Sequence, residues 1–247
     1  MTGTIVNALA VVAGSLVGLL VKKGLPQRVE ETVVKIMGVA VMVIGFNGVV
    51  SSMFTVNADG GLSSSGELLM VISLVIGAIA GELLNIDGRL NSFGAMIEEK
   101  THAEGFSKGF INASIIYCVG AMAIIYCVGA MAIIGSLQDG LTGDSTVLFV
   151  KGALDGTMSI MLTASMGFGV LFSAVPVLIY QGSISLLAGV ISPLISDLLL
   201  NQICSVGYVI VAVIGLNFIS SGKIRVANLL PSLAVPILYQ CILSFIH

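Results

Sequence analysis

Charge is what this chain has least of. Of its 247 residues 9% are charged and 57% hydrophobic, where an ordinary soluble domain carries about 25% charged residues. That shortage, with a mean hydropathy of +1.10 and no long polar stretch, leaves no material for a sizeable water-soluble domain. Loop cysteines are missing too. Cys118, Cys127, Cys204 and Cys241 all lie in apolar runs, which excludes a secreted disulfide framework and a CxxC metal site. Of the two histidines, His102 sits in a polar connector and His247 is the last residue, and no His/Cys/carboxylate group has metal-ligand spacing. HExxH, GxSxG and GxxxxGK[ST] motifs are likewise lacking. No enzyme chemistry, cofactor, metal or nucleic-acid partner is therefore expected.

What is present is apolar sequence long enough to cross a bilayer, which takes about 20 mostly apolar residues per helix. Eight spans are expected, at residues 4 to 21, 33 to 54, 67 to 85, 110 to 135, 147 to 168, 171 to 192, 205 to 221 and 226 to 246. They make an all-α, polytopic transmembrane helix bundle, read as one domain over residues 1–247. The first run has no basic residue before it and Lys22 and Lys23 after it, the reverse of a signal peptide. The turn between spans five and six falls at Gly167, Gly169 or Pro176, and a broken helix there fits as well. Pro231 and Pro236 predict a kinked eighth span.

Cytoplasmic loops retain Lys and Arg. Nine of the ten basic residues lie at odd-numbered connections and the even-numbered ones carry Asp59, Asp139, Asp144 and Asp197, so both termini are expected outside. Lys151 is the exception. The polar segment from Asp87 to Ser107, with Leu90, Phe93 and Ile97 at helical spacing, reads as an interfacial helix or a solvated connector.

Two internal repetitions occur. IIYCVGAMA stands at Ile115 to Ala123 and again, unchanged, at Ile124 to Ala132. Nine extra residues in a continuous helix advance it by about 13.5 Å and rotate all that follows by about 180°, so a bulge or a shifted fourth span is predicted. The second is fainter: Val43-Ile44-Gly45-Phe46-Asn47 in span two against Val213-Ile214-Gly215-Leu216-Asn217 in span seven. Matching spans one to three with six to eight gives an inverted-topology repeat of the kind transporters use, with halves 1–86 and 170–247 and central helices over 110–168. Chance recurrence of Gly and Asn in apolar helices is the alternative.

Ionisable side chains in hydrocarbon cost about 2.5 to 3.5 kcal/mol even on the lenient insertion scale, so the few that fall there are the candidates for function. Lys151 and Asp155 in VKGALDG are spaced i, i+4 on one helix face. They form either a gate or binding site, or a structural pair with Lys151 snorkelling to the headgroups. Asn47 and Asn217 could meet a cation or a polar solute, or bond helix to helix. Glu82, near the inner end of span three, is within reach of Arg89 and reads as a site or as a snorkelling carboxylate. Gln181 breaks the sixth run and Asn228 precedes the prolines of the eighth, which suits a discontinuous transport helix and equally an ordinary kink. Gly14/Gly18, Gly77/Gly81 and Gly152/Gly156 are GxxxG pairs, read as packing faces including a homodimer face.

GELLNIDGRLNSFG, FINASIIYCVGAMAIIGSLQDGL with the extra nine residues excised, VKGALDG, YQGSISLLAG and NLLPSL together resemble the YqgA/YdfK-type bacterial membrane proteins over essentially the whole chain. The resemblance implies a multi-pass protein of the bacterial plasma membrane, loosely described as a transport protein, with no established substrate. It draws attention to Glu82, Asp87, Arg89, Cys118 or Cys127, Asp139, Lys151, Asp155, Gln181 and Asn228. The doubled IIYCVGAMA departs from the family pattern. The functional expectation is a small secondary transporter or permease for an ion or small polar solute, its pathway between the repeat halves. A non-transporting membrane scaffold or regulator, or a passive channel, is the alternative.

Overall fold

A computed structural model describes residues 1–20, 26–56, 60–89, 92, 113, 128–191, 195–220 and 224–246. The order of elements is α1 (Thr2–Leu20), α2 (Gln27–Met53), a hairpin of β1 (Phe54–Val56) and β2 (Leu62–Ser64), α3 (Glu67–Leu84), α4 (Val128–Leu141), α5 (Thr146–Met166), a 3-10 segment (Phe168–Ser173) running into α6 (Ala174–Ile191), α7 (Asp197–Ile219), and a second 3-10 segment (Val226–Leu233) running into α8 (Ala234–Ile246). Apart from the small hairpin, the protein is an all-α polytopic bundle. Seven of its helices, among the described residues, are long and apolar enough to cross a membrane. The larger part of the fourth expected span, the doubled segment up to Cys127 and most of the 87–107 connector lie outside the described residues.

Burial is inverted relative to a soluble protein. Leu83, Leu187 and Val190 are 82%, 67% and 74% exposed while Lys151 is fully buried. With lipid as the outer solvent, apolar side chains gain nothing by turning inward, and polar groups gain everything.

The chain forms two compact units. The first comprises Met1–Met37 and Gly88–Ser192. Its centre is the pairing of α1 with α5, which glycine permits. A Cβ on Gly14 would collide with the Gly156 carbonyl oxygen, and one on Gly18 would stand 2.6 Å from the Ile160 oxygen, so the two backbones touch directly. Residues Thr4, Asn7, Ala8, Val11, Gly14, Ser15 and Gly18 form the buried face of α1 at steps of three and four. Against them α5 buries Lys151, Leu154, Asp155, Ser159 and Thr163. Helix α4 packs on α5 through Gly135 and on α6 through Gly140.

The second unit comprises Gly38–Asp87 and Pro193–His247. Here the helices that carry the two similar pentapeptides pack on each other. Gly45 of α2 abuts Ala212 of α7, and Gly215 of α7 abuts Gly38 and Met42 of α2, so each segment supplies the glycine the other needs for close approach. Helix α3 packs its Gly77 and Gly81 onto Ser232 and Asn228 of the second 3-10 segment. The hairpin pairs Phe54 with Ser64 and Val56 with Leu62.

Among the three positions open for the turn between spans five and six, the structure uses Gly167. Its φ of 82° lies where a side chain is disfavoured. The 3-10 segments in front of α6 and α8 share a sequence logic. Each leads into Ala-Val-Pro, continuing as Ala174-Val-Pro-Val-Leu-Ile-Tyr-Gln181 and Ala234-Val-Pro-Ile-Leu-Tyr-Gln240. Pro176 and Pro236 lie in the first turn of their α-helices, where a missing N–H costs least. The kink expected in the eighth span is this 3-10 to α junction, and the sixth span has the same one.

Candidate functional site

Within the first unit, α1, α5 and α6 bring four polar side chains together at nearly zero exposure: Asn7, Lys151, Asp155 and Gln181. Lys151 Nζ donates to Asp155 Oδ2 in the expected i, i+4 pair. Neither side chain reaches the surface, so the snorkelling alternative for Lys151 does not hold. Asn7 Nδ2 donates to Gln181 Oε1 at 3.1 Å, and the Asn7 side chain lies close to Asp155. Asn7 Oδ1, Gln181 Nε2 and, one turn before Asn7, Thr4 Oγ1 are buried with no partner. Unsatisfied buried polar atoms are few in native proteins. An acceptor, a donor and a hydroxyl of this kind thus lie in the same unit as a buried ion pair.

A second polar group lies at the end of α1 where the chain begins. Asp139, beyond the expected end of span four, accepts from Ser145 Oγ at 2.6 Å and faces the Met1 ammonium at 2.6 Å. Ser185 Oγ lies 3.5 Å from its other oxygen and donates to the Ser136 carbonyl at 3.0 Å. Burial pushes the Asp139 carboxyl up, but the ammonium and the Ser145 hydroxyl outweigh it and hold it below the usual aspartate value. Ser185 is one turn along α6 from Gln181, so polar side chains continue from this end toward the ion pair.

The other expected residues belong to the second unit, where Glu82 and Asn217 meet the 224–228 stretch that ends in Asn228. Asn47 is exposed. Asn217 clamps the connection after α7, its Nδ2 donating to the Ile224 carbonyl at 2.7 Å and its Oδ1 accepting from the Ile224 N–H at 2.9 Å. Glu82 is half exposed and pairs at 3.0 Å with Arg225 rather than Arg89. Asn228 Oδ1 accepts from the Asp87 N–H at 2.7 Å, leaving its Nδ2 without a partner. Asn7, the residue that ties α1 to Gln181 and lies close to Asp155, was not among the expected site residues. An isolated Asn in an apolar run has no spacing signature, and only the pairing of α1 with α5 reveals it. Among the described residues no His/Cys/Asp/Glu group could hold a metal ion.

All three GxxxG pairs are used inside the chain. Gly14 and Gly18 face α5, Gly152 and Gly156 face α1, and Gly77 and Gly81 face the second 3-10 segment.

Comparison with known proteins agrees with the sequence resemblance. The family described as protein of unknown function DUF554 matches residues 2–125 and 123–241. The chain belongs to this family. The DUF554 matches meet at residues 123–125, inside the doubled stretch. The chain is 31% identical over 236 residues to the uncharacterized membrane protein YdfK of Bacillus subtilis, covering 96% of this chain and 94% of that one. It is 27% identical over 238 residues to the uncharacterized protein YqgA of Escherichia coli, covering 94% and 92%. No solved structure matches significantly. The membrane character of this DUF554 protein accords with the name of its Bacillus relative and with its own apolar spans.

Proposed function

We propose that this protein is a small secondary transporter or permease of the bacterial plasma membrane for an ion or small polar solute, with Lys151, Asp155, Asn7 and Gln181 around the solute. The observation that carries this reading is the fully buried ion pair with unpartnered polar atoms beside it, inside helices whose outer surfaces are apolar. A buried ion pair gains little stability over apolar residues of similar volume, so a purely structural role is poor ground for it. Ionisable residues at membrane depth that face the bundle interior mark pathways by default.

The charge pattern supports both termini outside. The Met1 ammonium and the Ser145 end of α5 lie together at Asp139, as that topology requires of the amino terminus and the fourth connection. The inverted repeat of spans one to three and six to eight belongs to the same reading. The doubled IIYCVGAMA is read as a nine-residue tandem insertion, supported by the meeting of the two family matches within it. Excising residues 124–132 is expected to raise both yield and activity. Bond-making chemistry forms no part of the proposal.

Purified protein in proteoliposomes, surveyed for uptake of cations, anions and amino acids, tests it. Flux of at least one solute, lost in Asp155→Asn combined with Lys151→Met, is expected. Unchanged flux in that variant removes the site, and no flux of any solute removes transport.

A further inference from the structure

Four side chains of α5, Lys151, Asp155, Ser159 and Thr163, stand at i, i+4, i+8 and i+12, all buried. Such spacing keeps them on one face over about 18 Å of helix. That face meets α1. A Cβ on Gly14 would stand 3.0 Å from the Ser159 Cβ, and one on Gly18 would stand 2.8 Å from the Thr163 Cβ. From the α1 side Asn7 lies against Gly152 of α5, while Thr4, near Gly182 of α6, and Ser15 are buried on the same helix. Polar side chains thus follow the seam from near the start of α1 to the far end of α5, through the middle of two helices long enough to cross the membrane.

Hydroxyls in membrane helices commonly act as glue, and the bland form of that role is a bond to the carbonyl four residues back. Thr157, Ser159 and Ser183 make that bond. Thr4, Ser15 and Thr163 do not, and their oxygens, buried to within 2% of completeness, have no partner. A hydroxyl left unbonded in a dry interior costs roughly 1 to 3 kcal/mol, so a packing role does not account for three of them on α1 and the α5 face it meets. A transient polar occupant does.

We infer that the α1–α5 seam is the route along which a small hydrogen-bonding solute passes, stepping from the Lys151/Asp155 site past Ser15, Ser159 and Thr163. This deepens the transport reading and rests on it. The route is shut in this conformation by the backbone contacts of Gly14 and Gly18, and passage requires α1 to separate from α5. The occupant is singly charged or neutral and small enough to be met by one hydroxyl or amide at a time, since the seam offers no second carboxylate beyond Asp155 among the described residues.

Single cysteines placed at Ser15, Ser159 and Thr163, in a background where Cys118, Cys127, Cys204 and Cys241 are alanine, test the route in membrane vesicles. The probe is a small charged methanethiosulfonate reagent, and labelling is read by intact mass. All three positions are expected to label about tenfold faster than cysteines at the outward-facing Leu187 and Val190. Labelling no faster than at those controls, with flux retained, overturns the route and leaves the transport reading standing. Labelling without flux of any solute in the parent protein overturns the transport reading and with it the proposal. Should the cysteines prevent folding, Ser15→Ala and Thr163→Val in the unaltered chain serve instead. A loss of flux of about tenfold, the worth of one hydrogen bond in a pathway, is expected, and unchanged flux overturns the route.

Discussion

Asn7 Nδ2 lies 3.1 Å from Gln181 Oε1, a bond that joins α1 to α6 across 174 positions of sequence. It holds the Asn7 amide close to Asp155. Asn7→Leu, close in volume and unable to donate, is expected to lower thermal stability by about 1–3 kcal/mol through the stranded Gln181 carbonyl oxygen. Asn7→Asp sets a second carboxylate beside Asp155 and is expected to be worse. Unfolding in detergent, followed by scanning fluorimetry, measures both.

The buried ion pair predicts a non-additive pattern. Lys151→Met alone leaves Asp155 uncompensated and is expected to destabilise by about 3–5 kcal/mol, whereas Lys151→Met with Asp155→Leu recovers most of that loss. Additive losses in the double-mutant cycle would mean that the two groups do not interact.

Gly18 sets the approach of α1 to α5. Gly18→Leu forces a side chain against the Ile160 oxygen and the Thr163 Cβ and is expected to cost about 3 kcal/mol or to prevent accumulation in the membrane. Leu19→Ala, one residue along on the outward face, is expected to change stability by less than about 1 kcal/mol. Expression level and melting temperature of the two distinguish the faces.

Asp139 gives a pH dependence whose sign follows from its environment. Its carboxyl is held below the usual aspartate value in the folded protein, so the stability it contributes is fully present above that usual value. It is lost as pH falls through the lower folded one. Asp139→Asn is expected to melt a few degrees below the parent at neutral pH, with the difference shrinking in strong acid. A difference that grows on acidification would contradict the assignment.

Asn217 is expected to be a stability residue and not a transport residue. Its two bonds to Ile224 close the connection between α7 and the second 3-10 segment, so Asn217→Ala is expected to cost about 1–3 kcal/mol with flux per folded molecule unchanged. Radiotracer uptake normalised to correctly folded protein makes the comparison.

Much of this architecture is legible in the amino-acid order because lipid imposes one rule on every span: each must be apolar and about 20 residues long. The turn at Gly167 and the bend before Ala234 are equally local, the first set by a residue free to take positive φ and the second by proline. Which polar residue meets which is another matter. Lys151 and Asp155 could be paired from their spacing alone. Asn47 and Asn217 share a pentapeptide and yet do different things, because helix rotation leaves one exposed and turns the other toward a loop. The recurrence of Ala-Val-Pro and Tyr-Gln in α6 and α8 carries meaning only with the 3-10 segments in front of both. Asn7 needed a partner helix that lies more than a hundred residues away in the chain.

Those two junctions also store length. A 3-10 turn rises about 2.0 Å per residue and an α turn about 1.5 Å, so rewinding Phe168–Ser173 into α6 would draw Gly167 inward by about 3 Å and turn it about the helix axis. The corresponding rewinding of Val226–Leu233 would take up about 4 Å. Each junction is a short screw whose pitch changes only as i+3 bonds are exchanged for i+4 bonds, and beyond each a glutamine is already committed to another helix, Gln181 to Asn7 of α1 and Gln240 to Gln202 of α7 at 3.2 Å.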